Sequence, residues 1–219
     1  MKLGLFGGTF DPIHWGHLAS AEEVREAFRL DRVLFIPASI PPLKTKAVTT
    51  PAVDRLKMTR LAVAKNPRFA VSDIELGRSG KSFSIDTLRY FRRRRPKDAL
   101  YFILGMDAFR EIGKWKDFQA LFPLAHFIVT SRPGCGALRG LGDIPVAARK
   151  SFCYEKGVYR HASGTRLYFF QLTDIAVSAS EIRRRVKAKK SIRYLVAREV
   201  ERYIKRRGLY RASRRDGKV

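Results

Sequence analysis

The segment KLGLFGGTFDPIHWGH, residues 2–17, is the most informative for the fold because it joins a strand pattern to a helix pattern through two glycines. Lys2–Phe6 is a short, mostly apolar run typical of a buried strand, and Gly7 and Gly8 are expected to end that strand. A helical pattern follows over His14–Phe28, where apolar residues recur on one face. A strand, a glycine turn and a helix in direct succession predict the first half of a βαβ unit.

The same alternation of strands and helices continues along the chain. Further strands are predicted at Arg32–Pro37, Phe69–Ile74, Leu100–Leu104, His126–Thr130 and Leu167–Leu172. Helices are predicted at Ala52–Lys65, Ser84–Arg94, Ser180–Lys187 and Val196–Arg207, with short ones around Ala108 and Phe118. Because the strands are apolar throughout, they suit a parallel sheet that is covered on both faces. The sequence therefore predicts an α/β fold: a Rossmann-like open parallel sheet with helices on both faces and a small helical C-terminal part.

This organisation predicts a single domain over residues 1–219. Residues 1–176 would form the Rossmann-like core, residues 177–207 the C-terminal helical part, and residues 208–219 a basic tail. Residues 134–166 show little periodicity and give no prediction of structure.

The net charge of +25 is the outlying feature of the composition. Residues 178–219 contain 16 basic and 4 acidic residues, so this part carries +12 of the total. A positive field attracts polyanions, but basic runs are usually solvated faces, and a protein that handles triphosphates benefits from the same field. Charge alone therefore does not favour nucleic acid as a partner.

Other bulk features concern the compartment. No apolar run approaches the roughly 20 residues that cross a bilayer, and the N-terminus lacks the pattern of a signal peptide. The two cysteines, Cys135 and Cys153, have neither metal-type spacing nor an even-numbered disulfide framework. We therefore expect a cytoplasmic protein without a membrane partner. The composition leaves a homo-oligomer open.

The glycine–histidine segment predicts an anion site. Gly7 and Gly8 let the backbone turn tightly and approach a ligand closely. His14 and His17 lie three residues apart on the first turn of a helix, whose free N–H groups attract anions. Since ligands of open α/β sheets bind beyond the strand ends, Gly105 and Arg132, which follow two other strands, are expected at the same edge.

Simpler interpretations of this segment remain open. A strand–glycine–helix turn can serve packing only, and the segment matches neither G-x-x-x-x-G-K-[ST] nor G-x-G-x-x-G. A zinc site at His14 and His17 would need a nearby cysteine or glutamate, which the local sequence does not supply.

Two further segments and one loop lysine carry candidate residues. In VSASEIRRR (177–185), Ser180 is a natural helix N-cap and Arg183 could reach a phosphate at that helix end, although a capped basic surface helix explains the same pattern. In GMDAFREIGKWKDF (105–118), Asp107 could accept a hydroxyl and Trp115 could stack on a flat ring, or simply pack in the core. Lys44 could bring positive charge to a triphosphate, or be an ordinary solvated lysine.

Taken together, these motifs resemble a known family over nearly the whole chain. G-G-T-F-D-P-x-H-x-G-H is the mark of the H-x-G-H nucleotidyltransferases, and it fixes only the class of reaction. The segments that resemble bacterial nicotinate-nucleotide adenylyltransferases in order and spacing are SFSIDTLRYF (82–91), YFILGMDAF (101–109), WKDF (115–118), AHFIVTSRPG (125–134), VSASEIRRR (177–185) and SIRYLVAREVERYI (191–204).

The resemblance implies that ATP and nicotinate mononucleotide, with Mg²⁺, give nicotinate adenine dinucleotide and pyrophosphate. It implies catalytic roles for His14, His17 and Arg183, with His17 stabilising the transition state, and no metal ligand among the protein side chains. The implied ATP-binding residues are Gly7, Gly8, Thr9, Phe10, His14, His17, Lys44, Ser178, Ser180 and Arg183. The implied residues for nicotinate mononucleotide are Ser84, Gly105, Asp107, Trp115 and Arg132.

The chain departs from the family pattern at three places. The usual P-P-H-K reads Pro41-Pro42-Leu43-Lys44, I-S-S-T reads Val177-Ser178-Ala179-Ser180, and a common threonine is Ser84. These changes concern affinity rather than the reaction. Three alternatives stay open: a related transferase with another phosphate acceptor such as phosphopantetheine, a basic nucleic-acid-binding protein, and an inactive scaffold.

Overall fold

Eight strands form one sheet in the computed structural model, which describes residues 1–42, 50–131, 142, 144–173 and 175–211. The strands are β1 Lys2–Gly8, β2 Arg32–Pro37, β3 Phe69–Val71, β4 Ala99–Gly105, β5 His126–Ser131, β6 Phe152–Glu155, β7 Val158–His161 and β8 Arg166–Gln171. Their order across the sheet is β3-β2-β1-β4-β5-β8-β7-β6. All neighbours from β3 to β8 are parallel, so the predicted Rossmann-like parallel sheet is confirmed for this part.

The helices follow the predicted order, apart from α6, which lies in the stretch without a prediction. They are α1 Trp15–Ala27, α2 Ala52–Val63, α3 Ser84–Arg94, α4 Met106–Arg110, α5 Phe118–Leu121, α6 Val146–Arg149, α7 Ala179–Lys187 and α8 Arg198–Arg207. The bounds of α3 are those predicted, and α8 ends as expected at Gly208, which adopts a left-handed conformation. Within the described ranges, no helix is long and apolar enough to cross a bilayer.

The sheet separates two apolar layers because side chains alternate along each strand. On β4, Tyr101 and Ile103 point to the layer that also contains residues of α1, α2 and α8. Leu100, Phe102 and Leu104 point to the layer that contains residues of α3 and α4. Helices on both faces therefore cover the sheet, as the continuous apolar strands predicted.

The antiparallel hairpin β6–β7 corrects the prediction of an entirely parallel sheet. It lies in the stretch without a prediction from the sequence, and β7 pairs antiparallel with β8, the last strand of the parallel part. Its turn, Lys156-Gly157, has positive φ at both residues, as tight two-residue hairpins require. In the sequence, the Lys-Gly pair between two short runs of strand-forming residues could have predicted this hairpin.

Several element boundaries also differ from the prediction, by one to three residues. β1 does not end at Phe6, because the backbones of Gly7 and Gly8 still pair with Ile36 and Pro37 of β2. β3 ends at Val71, three residues early, and α8 begins at Arg198 instead of two residues before it. The loop that leads to the histidines therefore starts one residue beyond the paired glycines, at Thr9.

Candidate active site

The β1–α1 loop (Thr9–Ile13) leaves the sheet at its C-terminal edge and leads directly into α1. Gly8 is required here, since a Cβ at this position would lie 2.7 Å from Cζ of the Phe10 ring. Phe10 itself is buried and has a φ of +49°, a left-handed conformation that a bulky residue rarely adopts. The close contact of the Phe10 ring with Gly8 and the left-handed backbone of Phe10 together define the path of the loop.

The two histidines lie against each other at the start of α1. His14 is the N-cap residue, and its backbone N–H donates to Nδ1 of His17 at 3.3 Å. The rings are stacked, with centroids 3.7 Å apart. Because Nδ1 of His17 accepts this bond, the neutral ring carries its proton on Nε2 and can donate from that atom.

Helix α7 contacts the β1–α1 loop through Arg183. Its Nη1 donates to the carbonyl oxygen of Asp11 at 2.7 Å, and its Nη2 donates to Oγ of Ser180 at 3.3 Å. The bond to Asp11 joins residues 172 positions apart in the sequence. The structure thus brings together the two motifs that the family resemblance assigned to ATP binding.

The N-cap of α7 is a correction. The prediction placed Ser180 there, but Ser178 occupies the position and its Oγ accepts the N–H of Glu181 at 3.2 Å. The sequence offers two serines two residues apart, and propensity does not distinguish them. Ser180 is free of the capping role and instead accepts from Arg183.

Arg55, which the sequence reasoning missed, lies buried beneath the loops at the edge of the sheet with 1% of its surface exposed. Its guanidinium donates to the carbonyl oxygens of Thr9, Ala38, Ser39 and Thr50 at 2.6–3.1 Å. Burial lowers the pKa of this guanidinium. A signal existed, because Arg55 lies one turn before the buried Met58 and Thr59 on α2, where a charged residue is unexpected.

A cavity of about 340 Å³ adjoins the β1–α1 loop. Residues predicted for the two ends of the site line it together: Gly7, Gly8, Thr9, Ser84, Gly105, Asp107 and Trp115. The size suits a mononucleotide-sized ligand. Lys44 and Arg132, also predicted for the site, lie outside the described residues.

The far side of the cavity is built by α3, α4 and the turn after α4. Trp115 is half-buried and meets Phe102 edge-on at 6.4 Å, which leaves part of its ring exposed to the cavity. Asp107 lies in the first turn of α4 and is exposed. Ser84 is the first residue of α3, and Phe83 holds the N-cap position.

Glu75 is a second residue that the sequence reasoning missed, and it lines the cavity. Its carboxylate accepts the hydroxyl of Thr87 at 2.6 Å, and Thr87 also accepts a bond from Arg78. Burial raises the pKa of Glu75. The residue precedes α3 in a segment without periodicity, so only the tertiary contact reveals it.

The residues of this site also bear on metal ligation by the protein. Across the part of the chain that the structure describes, no group of three or more histidine, cysteine, aspartate or glutamate side chains could hold a metal ion. The zinc interpretation of His14 and His17 therefore gains no third ligand from the described residues.

The sequence is similar to known proteins over nearly its whole length. Residues 5–185 match the family model described as cytidylyltransferase-like. A protein of Syntrophotalea carbinolica named "Probable nicotinate-nucleotide adenylyltransferase" is 49% identical over 98% of this chain and 100% of its own length. A protein of Geobacter sulfurreducens with the same name is 46% identical over 96% of this chain and 98% of its own.

Among solved structures, the fold is similar to that of Plasmodium falciparum nicotinic acid mononucleotide adenylyltransferase. The form complexed with NaAD has a TM-score of 0.74 at 18% identity, covering 95% of this chain and 97% of that chain. The form complexed with APC has a TM-score of 0.72 at the same identity, covering 95% and 96%. At this identity the likeness concerns the fold.

Proposed function

Because the chain belongs to the nicotinate-nucleotide adenylyltransferase family, we propose that it transfers the adenylyl group of ATP to nicotinate mononucleotide. The products are nicotinate adenine dinucleotide and pyrophosphate, a step of NAD biosynthesis. One observation carries this proposal beyond family membership: the cavity shares Gly7, Gly8 and Thr9 with the start of the histidine motif. A mononucleotide in the cavity would therefore adjoin a nucleotide held at α1.

We assign the ATP phosphates to the β1–α1 loop and the start of α1. Gly7, Gly8, Thr9 and Phe10 would present backbone to the phosphates, and His14 and His17 would lie beside them. The proposal adds Ser178, Ser180 and Arg183 from α7, since Arg183 already contacts Asp11. Lys44 is included on the resemblance of its motif.

We assign nicotinate mononucleotide to the cavity. Trp115 would stack on the pyridine ring, and Asp107 and Ser84 would meet the ribose or ring substituents. Gly105 leaves open space at the strand end, because a Cβ there would meet no atom within 4 Å. Arg132 is included on the resemblance of its motif.

The chemistry needs no nucleophilic side chain. A phosphate oxygen of the mononucleotide attacks the α-phosphorus of ATP in line, the bond to the bridging oxygen breaks, and pyrophosphate leaves with that electron pair. The protein positions the two substrates and stabilises developing charge. Nε2–H of His17 and the guanidinium of Arg183 are the proposed donors to the phosphates.

Mg²⁺ is proposed as a companion of ATP. Its preferred ligands are oxygens, and the phosphates and water can supply them without a protein cage. When bound, the ion neutralises phosphate charge and stabilises the leaving pyrophosphate. His17 and Arg183 are proposed to donate hydrogen bonds directly to the phosphate oxygens.

The decisive test offers ATP and Mg²⁺ with each of three acceptors: nicotinate mononucleotide, nicotinamide mononucleotide and phosphopantetheine. We expect dinucleotide and pyrophosphate in equal amounts with nicotinate mononucleotide. Product only with another acceptor, or no product, would overturn the proposal.

The domain, compartment and assembly predictions remain proposals. We propose a single domain and a cytoplasmic location, which suits the free and exposed Cys153 because thiols stay reduced there. We also propose a homo-oligomer, which a measurement of molecular mass in solution would test.

A further inference from the structure

Tyr210 lies two residues beyond the C-cap of α8, in the segment predicted as a basic tail. Its hydroxyl donates to Oδ1 of Asp11 at 2.7 Å, across 199 residues of sequence. Asp11 belongs to the β1–α1 loop and has only 3% of its surface exposed. Burial and the negative charge of Asp11 raise the pKa of Tyr210, so the hydroxyl keeps its proton and donates. The C-terminal segment thus reaches the loop that leads into the histidines.

Two other side chains hold the same loop from other directions. Arg55 of α2 donates to the carbonyl oxygen of Thr9, and Arg183 of α7 donates to that of Asp11. Between these anchors, Phe10 keeps its left-handed backbone. Such a conformation persists only where the surroundings determine it.

We propose that Tyr210 is a positioning residue for adenylyl transfer, acting through Asp11 to fix the β1–α1 loop against the ATP phosphates. The inference rests on the proposed function. The loop joins Gly8 to His14. Its displacement would therefore move the loop backbone and the histidines, which are proposed to bind the ATP phosphates, relative to nicotinate mononucleotide. Displacements near 1 Å can cost up to about 10²-fold in rate.

The chain offers a matched control in Tyr203. Its hydroxyl also donates to a buried aspartate, Oδ1 of Asp54, at 2.7 Å. That bond joins α8 to α2 and does not touch the β1–α1 loop. Tyr203→Phe therefore removes the same kind of hydrogen bond from the same part of the chain.

The experiment compares Tyr210→Phe with Tyr203→Phe in the full chain. Steady-state kinetics with ATP, Mg²⁺ and nicotinate mononucleotide give kcat and both KM values, and hydrogen exchange reports the amides of residues 9–14. We expect Tyr210→Phe to lower kcat about tenfold, to leave KM for the mononucleotide within about twofold, and to speed exchange at residues 9–14. Tyr203→Phe should leave kcat and this exchange near wild type.

Unchanged kcat in Tyr210→Phe, or an equal loss in Tyr203→Phe, would overturn the inference. Unchanged exchange at residues 9–14 would do the same, because the loop would then not depend on Tyr210. If the wild-type chain makes no dinucleotide, the proposed function fails, whereas the exchange comparison still decides whether Tyr210 holds the loop.

Discussion

The loop end and the cavity end of the site are built in different ways. The loop end is one continuous segment, Gly7–His17, held beneath by Arg55 and from the side by Arg183. The cavity end gathers Ser84, Asp107 and Trp115 from separate elements, and its side chains are exposed or half-buried. Buried hydrogen bonds hold the loop in one position, whereas an open cavity selects a ligand by its shape. We therefore expect changes at the loop end to act on kcat and on the binding of ATP, and changes at the cavity end to act on KM for nicotinate mononucleotide.

Loss of the His17 ring should reduce the activity that depends on the loop end more than any other change. His17→Ala is expected to lower kcat by about 10²–10³ with the fold intact, because a donor to the transition state disappears. His161→Ala serves as the control, because His161 lies in the hairpin and does not line the cavity. Near-normal turnover of His17→Ala would remove the assigned role.

Arg183→Ala should have the next largest effect. A charge-assisted hydrogen bond contributes about 1.5–3 kcal/mol, so we expect kcat/KM for ATP to fall between about tenfold and 10²-fold. Arg184→Ala, which loses only a surface ion pair with Glu181, should change little. Equal effects of the two substitutions would mean that general positive charge, and not the contact with Asp11, matters.

Trp115→Ala tests the cavity end. Stacking of a base on an aromatic ring is worth about 1–3 kcal/mol, so KM for nicotinate mononucleotide should rise about tenfold while kcat changes less. Tyr154→Ala, an exposed aromatic of the hairpin, is the control in the same kinetic assay. A loss confined to kcat would place Trp115 outside the binding of the pyridine ring.

The buried carboxyl of Glu75 gives the smallest effect, on stability. Its raised pKa means that the folded state binds the proton more tightly than the unfolded state, so its contribution to stability falls as pH rises above about 4.3. Glu75→Gln keeps an acceptor for Thr87 and removes this loss. As pH rises from 4 to 7, denaturant unfolding should show the free energy of unfolding of the variant increasing relative to that of wild type. The exposed Glu155→Gln should show no such trend.

The same contrast explains what the sequence could predict. Gly7, Gly8, His14 and His17 are adjacent along the chain, so local geometry alone places them on one turn. Strand ends of a parallel sheet share an edge, and this rule brought Gly105 to the same place. Fold and motif therefore followed from local pattern and one topological rule.

Arg55, Glu75 and Tyr210 could not be found in this way. Arg55 reaches Thr9 across 46 residues and Tyr210 reaches Asp11 across 199, and no local pattern encodes such contacts. The N-cap of α7 failed for another reason, because Ser178 and Ser180 have equal propensity and only the helix path selects one.

Calorimetric titration of each substrate against two variants tests the two-ended site most directly. Trp115→Ala should weaken nicotinate mononucleotide about tenfold and leave Mg²⁺–ATP unchanged, and Arg183→Ala should do the reverse. If both variants weaken the same substrate, the two ends do not hold different nucleotides and the account is contradicted.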